Sequence, residues 1–341
     1  MSEETVQPET GEDTPQTEEN TANAEETPKV KPEKPVAPPI FRQAIYRMMN
    51  GEWADVEEQE EVDKTHFYKM IERELTKDGD LVTETEFDSD GTELQKTVNV
   101  YDEKGKIVLH ELFNEGQLAE KIQFKYDEKG RVCEEVREFE DGFPLTTFFT
   151  YDDEDRVIEK RVDDSDGELQ KKETFEYHPT WKDKVVKHVT SDEEGELSME
   201  EETEWEERNG EIKPKRMLVT DHTFDKKRRT DFFDPRTRED NIAYATYNER
   251  EKVIEYVKVM YDEEGRESEE HSVSVNESDN FKVFYTYDEN DRVVAQEQHQ
   301  EDKIISQINR RFNPEGLVNV MAVRSFSRGM YVDLFEYEYH S

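Results

Sequence analysis

The sequence has few of the residues that build a covalent framework or a thick apolar core. Its single cysteine, Cys133, excludes an intramolecular disulfide framework and CxxC metal or redox sites. Only 32% of the 341 residues are hydrophobic, and no apolar run approaches the ~18 residues of a membrane-spanning helix. The start, MSEETVQPET, lacks the basic region and apolar run of a signal peptide. We therefore expect a cytoplasmic protein, with export by a signal-independent route left open.

Basic residues are also scarce, at 46 Lys and Arg against 88 Asp and Glu, for a formal charge of -42. Such a surface repels free nucleic acid and anionic membrane, so the expected partners are proteins, basic ones in particular. No GxxxxGK[ST], GxGxxG, HExxH or GxSxG motif occurs, and the eight histidines show no paired ligand spacing. The sequence predicts a protein that is not an enzyme and that uses no cofactor and no metal.

The first two segments differ from the rest of the chain. Residues 1–39 are acidic and hold seven of the twelve prolines, which predicts a disordered tail. Residues 40–64 begin with IFRQAIYRMMNGEW, whose apolar side chains recur at i, i+4 and i+8, and this spacing predicts a short amphipathic helix and a linker. The helix could dock on the protein's own sheet or enter a groove of a partner. The partner-binding residues would then be Phe41, Ile45, Met48, Met49 and Trp53.

Residues 65–341 are punctuated by Gly, Asp and Asn turns at intervals of about one strand and one turn. Between these turns apolar and polar side chains alternate, as in KIQFKYD at 121–127. We therefore predict an all-β fold, namely a long antiparallel β-meander of hairpin repeats about 25 residues long. Twist should make this single sheet coil or curl into a curved shell or a barrel-like roll.

The string [FY]xYDxxxR[VI] recurs along this domain, as FKYDEKGRV at 124–132, FTYDDEDRV at 149–157 and YTYDENDRV at 285–293. We interpret it as structural: Tyr anchors a strand end, Asp and Gly make the turn, and Arg pairs with a carboxylate of a neighbouring repeat. The alternative is a rim that binds a linear polymer such as a glycan. Asp155 and Asp291 replace the turn glycine, which favours the structural interpretation. The structural pairs are Tyr101 and Asp102, Tyr126 and Asp127, Tyr151 and Asp152, Tyr261 and Asp262, and Tyr287 and Asp288.

The rhythm weakens between about residues 211 and 260, which predicts an irregular insertion in the repeat domain. This segment contains the only dense basic cluster of the sequence, Lys226, Lys227, Arg228 and Arg229. A charged hairpin neutralised by nearby carboxylates is one interpretation, and an inserted loop that contacts a partner is the other.

The repeated string resembles the YD repeats of the bacterial Rhs and wall-associated protein family, over roughly residues 65–335. The short period is also similar to the MORN-like repeats of bacterial antitoxin components. The resemblance to the YD-repeat family implies an extended, spirally coiled β-sheet.

From this resemblance we expect a non-catalytic protein that binds another protein and neutralises or chaperones a toxin or secreted effector. One alternative is a surface or secreted repeat protein that binds polysaccharide. A second is an acidic mimic of nucleic acid that binds a basic protein.

Overall fold

A computed structural model describes residues 39–140 and 142–340, except for the side chain of Glu277. These residues form 22 β-strands and four short 3-10 helices (53–55, 64–66, 235–237 and 277–279), with no α-helix among them. The predicted disordered tail, residues 1–39, lies outside the described residues apart from Pro39. The strands are β1 (Ile40–Met49), β2 (Tyr68–Leu75), β3 (Leu81–Phe87), β4 (Glu93–Tyr101), β5 (Ile107–Asn114), β6 (Gln117–Tyr126), β7 (Val132–Phe139), β8 (Leu145–Tyr151), β9 (Val157–Asp163), β10 (Leu169–Tyr177), β11 (Val185–Ser191), β12 (Leu197–Arg208), β13 (Glu211–Asp221), β14 (Lys226–Phe232), β15 (Ile242–Asn248), β16 (Val253–Tyr261), β17 (Glu267–Ser274), β18 (Phe281–Tyr287), β19 (Val293–Gln300), β20 (Lys303–Phe312), β21 (Val318–Ser325) and β22 (Gly329–Tyr339).

The strands follow the period-two pattern of the sequence. In β6 the side chain of Ile122 is buried and that of Lys125 is exposed. In β18 the side chain of Val283 is buried, whereas the neighbouring Lys282 is exposed. Successive side chains of a strand point to opposite faces, so this alternation gives β6 and β18 each a face that is more apolar than the other. The all-β antiparallel fold predicted from the sequence is confirmed.

The sheet is closed, so of the predicted shapes the barrel-like roll is the one observed, and the prediction of a coiled or curled sheet without closure is corrected. Each strand pairs antiparallel with the strands before and after it in the chain, and β1 pairs with both β2 and β22. At this seam Ile45 lies opposite Ile71 on one side and Phe335 on the other. An open sheet leaves two edges with unpaired backbone N–H and C=O groups, and closure removes both edges.

The predicted amphipathic helix at residues 40–64 is wrong, because Ile40–Met49 form strand β1. The apolar spacing of this segment favours a helix. As a strand, however, the segment pairs with β2 on one side and β22 on the other, which would both be unpaired edges without it. A buried backbone group without a hydrogen bond is costly, and helix propensity is a weak preference that tertiary contacts override. Ile40, Phe41, Ile45 and Tyr46 are also residue types that favour strands.

The most buried part of the sheet lies next to the seam. Residues 50–67, which join β1 to β2, fold back over the sheet so that Val56 packs with Val320, Ala322, Val332 and Leu334. Val320 and Val332 are fully buried, and burial of one such side chain contributes about 1.5–3 kcal/mol. Most other side chains of the described strands are only half-buried, so the core is thin.

Residues 211–260, predicted as an irregular insertion, form strands β13 to β16 of the same ladder. Only the connection 233–241, with its short 3-10 helix at Pro235–Thr237, departs from a tight turn. The repeat string is degenerate in this segment, yet the hairpin geometry continues. Backbone pairing therefore preserves the repeat where the side-chain signature is lost.

Candidate functional site

The connections between strands lie at two opposite rims of the closed sheet, because every strand is antiparallel to its neighbours. The turns that begin at the aspartate of each Tyr–Asp pair, which we call the YD turns, all follow even-numbered strands. We name that end of the sheet the YD rim. Connections after odd-numbered strands form the other end, which we name the acidic rim. Side chains on the YD rim contact other parts of the protein, whereas several large side chains on the acidic rim are exposed.

On the YD rim, tyrosine hydroxyls tie each hairpin to the one before it. The Tyr151 hydroxyl donates a hydrogen bond of 2.7 Å to the carbonyl oxygen of Val132, the first residue of β7. The same bond recurs from Tyr101 to Leu81, Tyr126 to Ile107, Tyr177 to Val157, Tyr287 to Glu267 and Tyr337 to Val318. Trp205 takes the place of tyrosine in β12 and donates its indole N–H to Val185 at 2.8 Å. Burial raises the pKa of the Tyr126 and Tyr151 hydroxyls.

The aspartate of each YD pair organises the turn that follows. Asp152 accepts hydrogen bonds from the backbone N–H of Glu154 and Arg156, at 2.9 and 3.0 Å, and from Arg156 Nε at 2.7 Å. The Arg156 side chain and then its backbone N–H hold the pKa of Asp152 below its usual range. Similar bonds to backbone N–H groups are made by Asp102, Asp127, Asp262 and Asp288.

The basic residue that ends the turn reaches the next repeat. The Arg131 guanidinium lies 4.3 Å from the ring centroid of Tyr151 and also pairs with Asp155. Arg266 repeats this arrangement with Tyr287, at 4.7 Å, and with Asp291. Tyr261, for which no hydroxyl bond is seen among the described residues, is covered in the same way by Arg236 at 4.4 Å. The characteristic side chains of the YD rim are thus engaged in holding the repeats together.

The five predicted contact residues near the N-terminus do not form one surface. Ile45 is buried in the sheet, and Met48 and Trp53 pack against the core cluster around Val56. Phe41 and Met49 are 38% and 50% exposed, but they lie at opposite ends of β1. The four of these residues that lie in β1 belong to the strand that closes the sheet. The role of the five residues in binding a partner stays a prediction.

The predicted basic cluster lies at the start of β14. Arg229 pairs with Asp231 and Glu251 and lies 4.4 Å from the ring centroid of Tyr247. Lys226, Lys227 and Arg228 are exposed beside the 222–225 turn of the acidic rim. The structure therefore divides the cluster into one engaged arginine and three exposed basic side chains.

The acidic rim exposes apolar side chains that the sequence analysis did not single out. Of fifteen large hydrophobic residues that are exposed in the described chain, twelve lie in its connections or at the adjoining strand ends. The most exposed are Phe326 at 88%, Val275 at 72%, and Phe143 and Phe224 at 69% each. The sequence does contain a signal, because each of these four residues is the only large apolar residue of a turn that otherwise consists of polar residues, glycine or proline. The connections of this rim hold 26 acidic and 4 basic residues, against 21 and 12 on the YD rim.

A cavity of 770 Å³ lies at the acidic rim beside the hairpin 326–328. Its lining includes Ile308, Met321, Val323 and Tyr331. Phe326 also borders a second cavity of 330 Å³. This part of the rim therefore combines an exposed aromatic ring with adjacent apolar recesses.

Two kinds of feature are absent from the part of the chain that the structure describes. None of its helices is long and apolar enough to cross a membrane. No group of three or more His, Cys, Asp or Glu side chains in residues 39–140 and 142–340 is placed to hold a metal ion.

The chain is similar to one protein family and to a number of solved structures, all at low identity where an identity is known. A family model described only as an uncharacterised protein matches residues 101–219, and no curated protein matches the chain. Among solved structures, the Tc holotoxin pore of Photorhabdus luminescens is similar at 11% identity and a TM-score of 0.37. That match covers 88% of this chain and 17% of the toxin chain, so this chain spans about a sixth of the length of that one.

A porin-like protein from Bacteroides uniformis is similar at 11% identity and a TM-score of 0.29, over 89% of this chain and 99% of that one. A porin-like protein from Bacteroides vulgatus shows 8% identity and a TM-score of 0.20, over 72% and 94%. At these TM-scores none of the similarities establishes a shared fold.

Proposed function

We propose that this protein is a non-catalytic, cytoplasmic β-repeat protein of the YD-repeat kind that binds another protein. The partner in this proposal is a toxin or secreted effector, which the protein neutralises or chaperones. One observation carries the protein-binding part: twelve of the fifteen large apolar side chains that are exposed among the described residues lie at one rim of the closed sheet. Exposed apolar surface that is grouped rather than scattered marks sites of protein interaction. The identity of the partner as a toxin or effector rests on the resemblance of the repeats.

The opposite rim is less suited to binding. Its tyrosine hydroxyls donate to backbone carbonyls, and arginine guanidinium groups cover several of the rings. A glycan that stacked on these rings would have to displace the arginines. The polysaccharide alternative therefore has no observation in its favour.

The proposal is tested by photo-crosslinking in the cells that express the protein naturally. A photoreactive phenylalanine analogue replaces Phe143 or Phe326 on the acidic rim, or Lys104 on the YD rim as the control. We expect one defined protein to be crosslinked from the acidic rim and not from position 104. The proposal fails if no protein is crosslinked from either rim while the folded protein is present.

A further inference from the structure

Charge is distributed unevenly along the acidic rim. Five consecutive turns, at 88–92, 115–116, 140–144, 164–168 and 192–196, contain eleven acidic residues that the structure describes and no Lys or Arg. We name these turns, with the strand ends next to them, the acidic arc. Successive turns are two strands apart, about 10 Å, so the five turns extend over about 40 Å.

The acidic arc also carries exposed apolar side chains at four of its five turns. They are Leu94, Leu118, Phe139, Phe143, Leu197 and Met199, with exposed fractions from 36% to 69%. Backbone hydrogen bonds join neighbouring hairpins in this region, from the Glu115 N–H to the Leu94 carbonyl at 2.9 Å and from the Glu140 N–H to the Ala119 carbonyl at 3.1 Å. The apolar side chains therefore lie on hairpins that backbone hydrogen bonds hold together, and not on separate loops.

The rest of the acidic rim is also acidic overall, but Lys and Arg lie near several of its exposed apolar residues. Lys303, Arg324 and Arg328 surround the Phe326 hairpin, and Lys226 and Lys227 lie beside Phe224. A positively charged partner would therefore be attracted less strongly at these places than at the acidic arc. With its adjoining strand ends, the arc is the longest run of consecutive turns on this rim without Lys or Arg, so it offers a basic partner the widest uninterrupted acidic surface.

We infer that the acidic arc is the docking surface for the partner, and that the docked segment is a basic polypeptide with regularly spaced apolar side chains. This inference rests on the proposed function and names the surface and the chemistry of the partner. Its apolar side chains pack against Phe143, Leu197 and their neighbours, while its Lys and Arg side chains face the carboxylates. A protein that only mimics nucleic acid would need the carboxylates alone. The exposed apolar residues therefore distinguish the proposed docking from mimicry of nucleic acid.

The test uses two synthetic peptides of about 12 residues, the length that spans the arc when extended. The first alternates lysine with leucine, and the second has serine in place of each leucine. Binding of each fluorescent peptide to the full chain is measured by anisotropy at about 50 mM and about 300 mM NaCl. We expect the leucine peptide to bind at least about tenfold more tightly than the serine peptide, and its affinity to fall about tenfold or more with the added salt.

Two double variants locate the surface. Phe143→Ser with Leu197→Ser, in the arc, should weaken binding of the leucine peptide by about tenfold or more. Val275→Ser with Phe326→Ser removes side chains at least as exposed from outside the arc and should change it less than about twofold. Glu193→Gln, Glu194→Gln and Glu196→Gln together should weaken binding and flatten its salt dependence. Circular dichroism establishes that each variant is folded.

Equal effects of the two double variants, or equal affinity of the two peptides, would overturn the inference. The crosslinking experiment separates this failure from a failure of the proposed function. A cellular partner captured from position 326 and not from position 143 leaves protein binding intact and removes the acidic arc as its site. Capture of no partner at any position removes the proposed function itself.

Discussion

Arg47 and Asp333 form a bidentate ion pair across the seam where the first and last strands of the sheet meet. Arg47 Nε lies 2.7 Å from Asp333 Oδ1, and Nη2 lies 2.8 Å from Oδ2. The Asp333 side chain is almost completely buried, and the guanidinium lies 3.9 Å from the ring centroid of Tyr331. The hydrogen bonds to Asp333 raise the pKa of Arg47. The pair joins residues 286 positions apart, so it can form only when the sheet has closed.

Replacement of Arg47 by methionine should destabilise the protein by about 3–5 kcal/mol, because Asp333 is left buried and unpaired. Arg47→Lys should lie between this variant and the wild type, since lysine keeps the charge and loses the bidentate geometry. The measurement is the free energy of unfolding in urea. Arg42→Met is the matched control, because the Arg42–Glu74 pair on the same strand is more than one-third exposed on both sides and should contribute less than about 1 kcal/mol. Equal losses in Arg47→Met and Arg42→Met would contradict a special role for the seam pair.

Each tyrosine hydroxyl bond on the YD rim should contribute measurably to the free energy of unfolding. Tyr151→Phe removes the hydroxyl that donates to Val132 and leaves that carbonyl without this bond, so we expect a loss of about 1 kcal/mol in the free energy of unfolding. Tyr256→Phe serves as the control, since its hydroxyl makes no hydrogen bond to any residue that the structure describes. A loss in Tyr256→Phe as large as that in Tyr151→Phe would show that the hydroxyl bond is not the cause.

The strands and the two kinds of turn could be predicted from the sequence because they depend on local patterns. The alternation in KIQFKYD and the Asp and Gly residues of YDEKG act over a few residues, where backbone preferences and turn chemistry decide the structure. Even the role of the arginine as a link to the next repeat follows from a spacing of about 25 residues.

Closure of the sheet could not be predicted in the same way, because it depends on contacts between the two ends of the chain. The apolar spacing of Ile40–Met49 fits a helix, and only the presence of two unpaired edges makes a strand more favourable. The exposed apolar residues of the acidic rim were missed for a different reason. Phe143 and Phe326 are single apolar residues in polar turns, and they form a group only when the hairpins are placed side by side.

The YD turns should make stability depend on acidity. The pKa of Asp152 is lowered in the folded protein, chiefly by its hydrogen bond to the Arg156 side chain, relative to an unfolded value of about 3.9. The unfolded chain therefore binds more protons, so this contribution is complete above about pH 5 and is lost as the pH falls through the folded value.

We expect Asp152→Asn to reduce the slope of the unfolding free energy against pH between about pH 5 and about pH 3, measured by urea unfolding. Asp153→Asn changes an exposed carboxylate of the same turn and should leave the slope nearly as in the wild type. An equal reduction in both variants would mean that net charge, and not the Asp152 bonds, sets the acid sensitivity.

The fourth residue of the YD turn has a left-handed backbone conformation. The free energy of unfolding should therefore depend strongly on which side chain this residue carries. Gly105 has φ of 78°, and no atom lies within 4 Å of the position that an added Cβ would take. Gly105→Ala should therefore cost about 1–2 kcal/mol through backbone strain alone. Gly105→Asp should cost less, because Asp155 and Asp291 occupy the same turn position at φ of 62° and 60°. Lys104→Ala, at the preceding turn residue, is the control and should change the free energy of unfolding by less than about 0.5 kcal/mol. If Gly105→Ala were as mild as Lys104→Ala, the turn would have another conformation available, and the left-handed residue would not be what fixes the corner of each repeat.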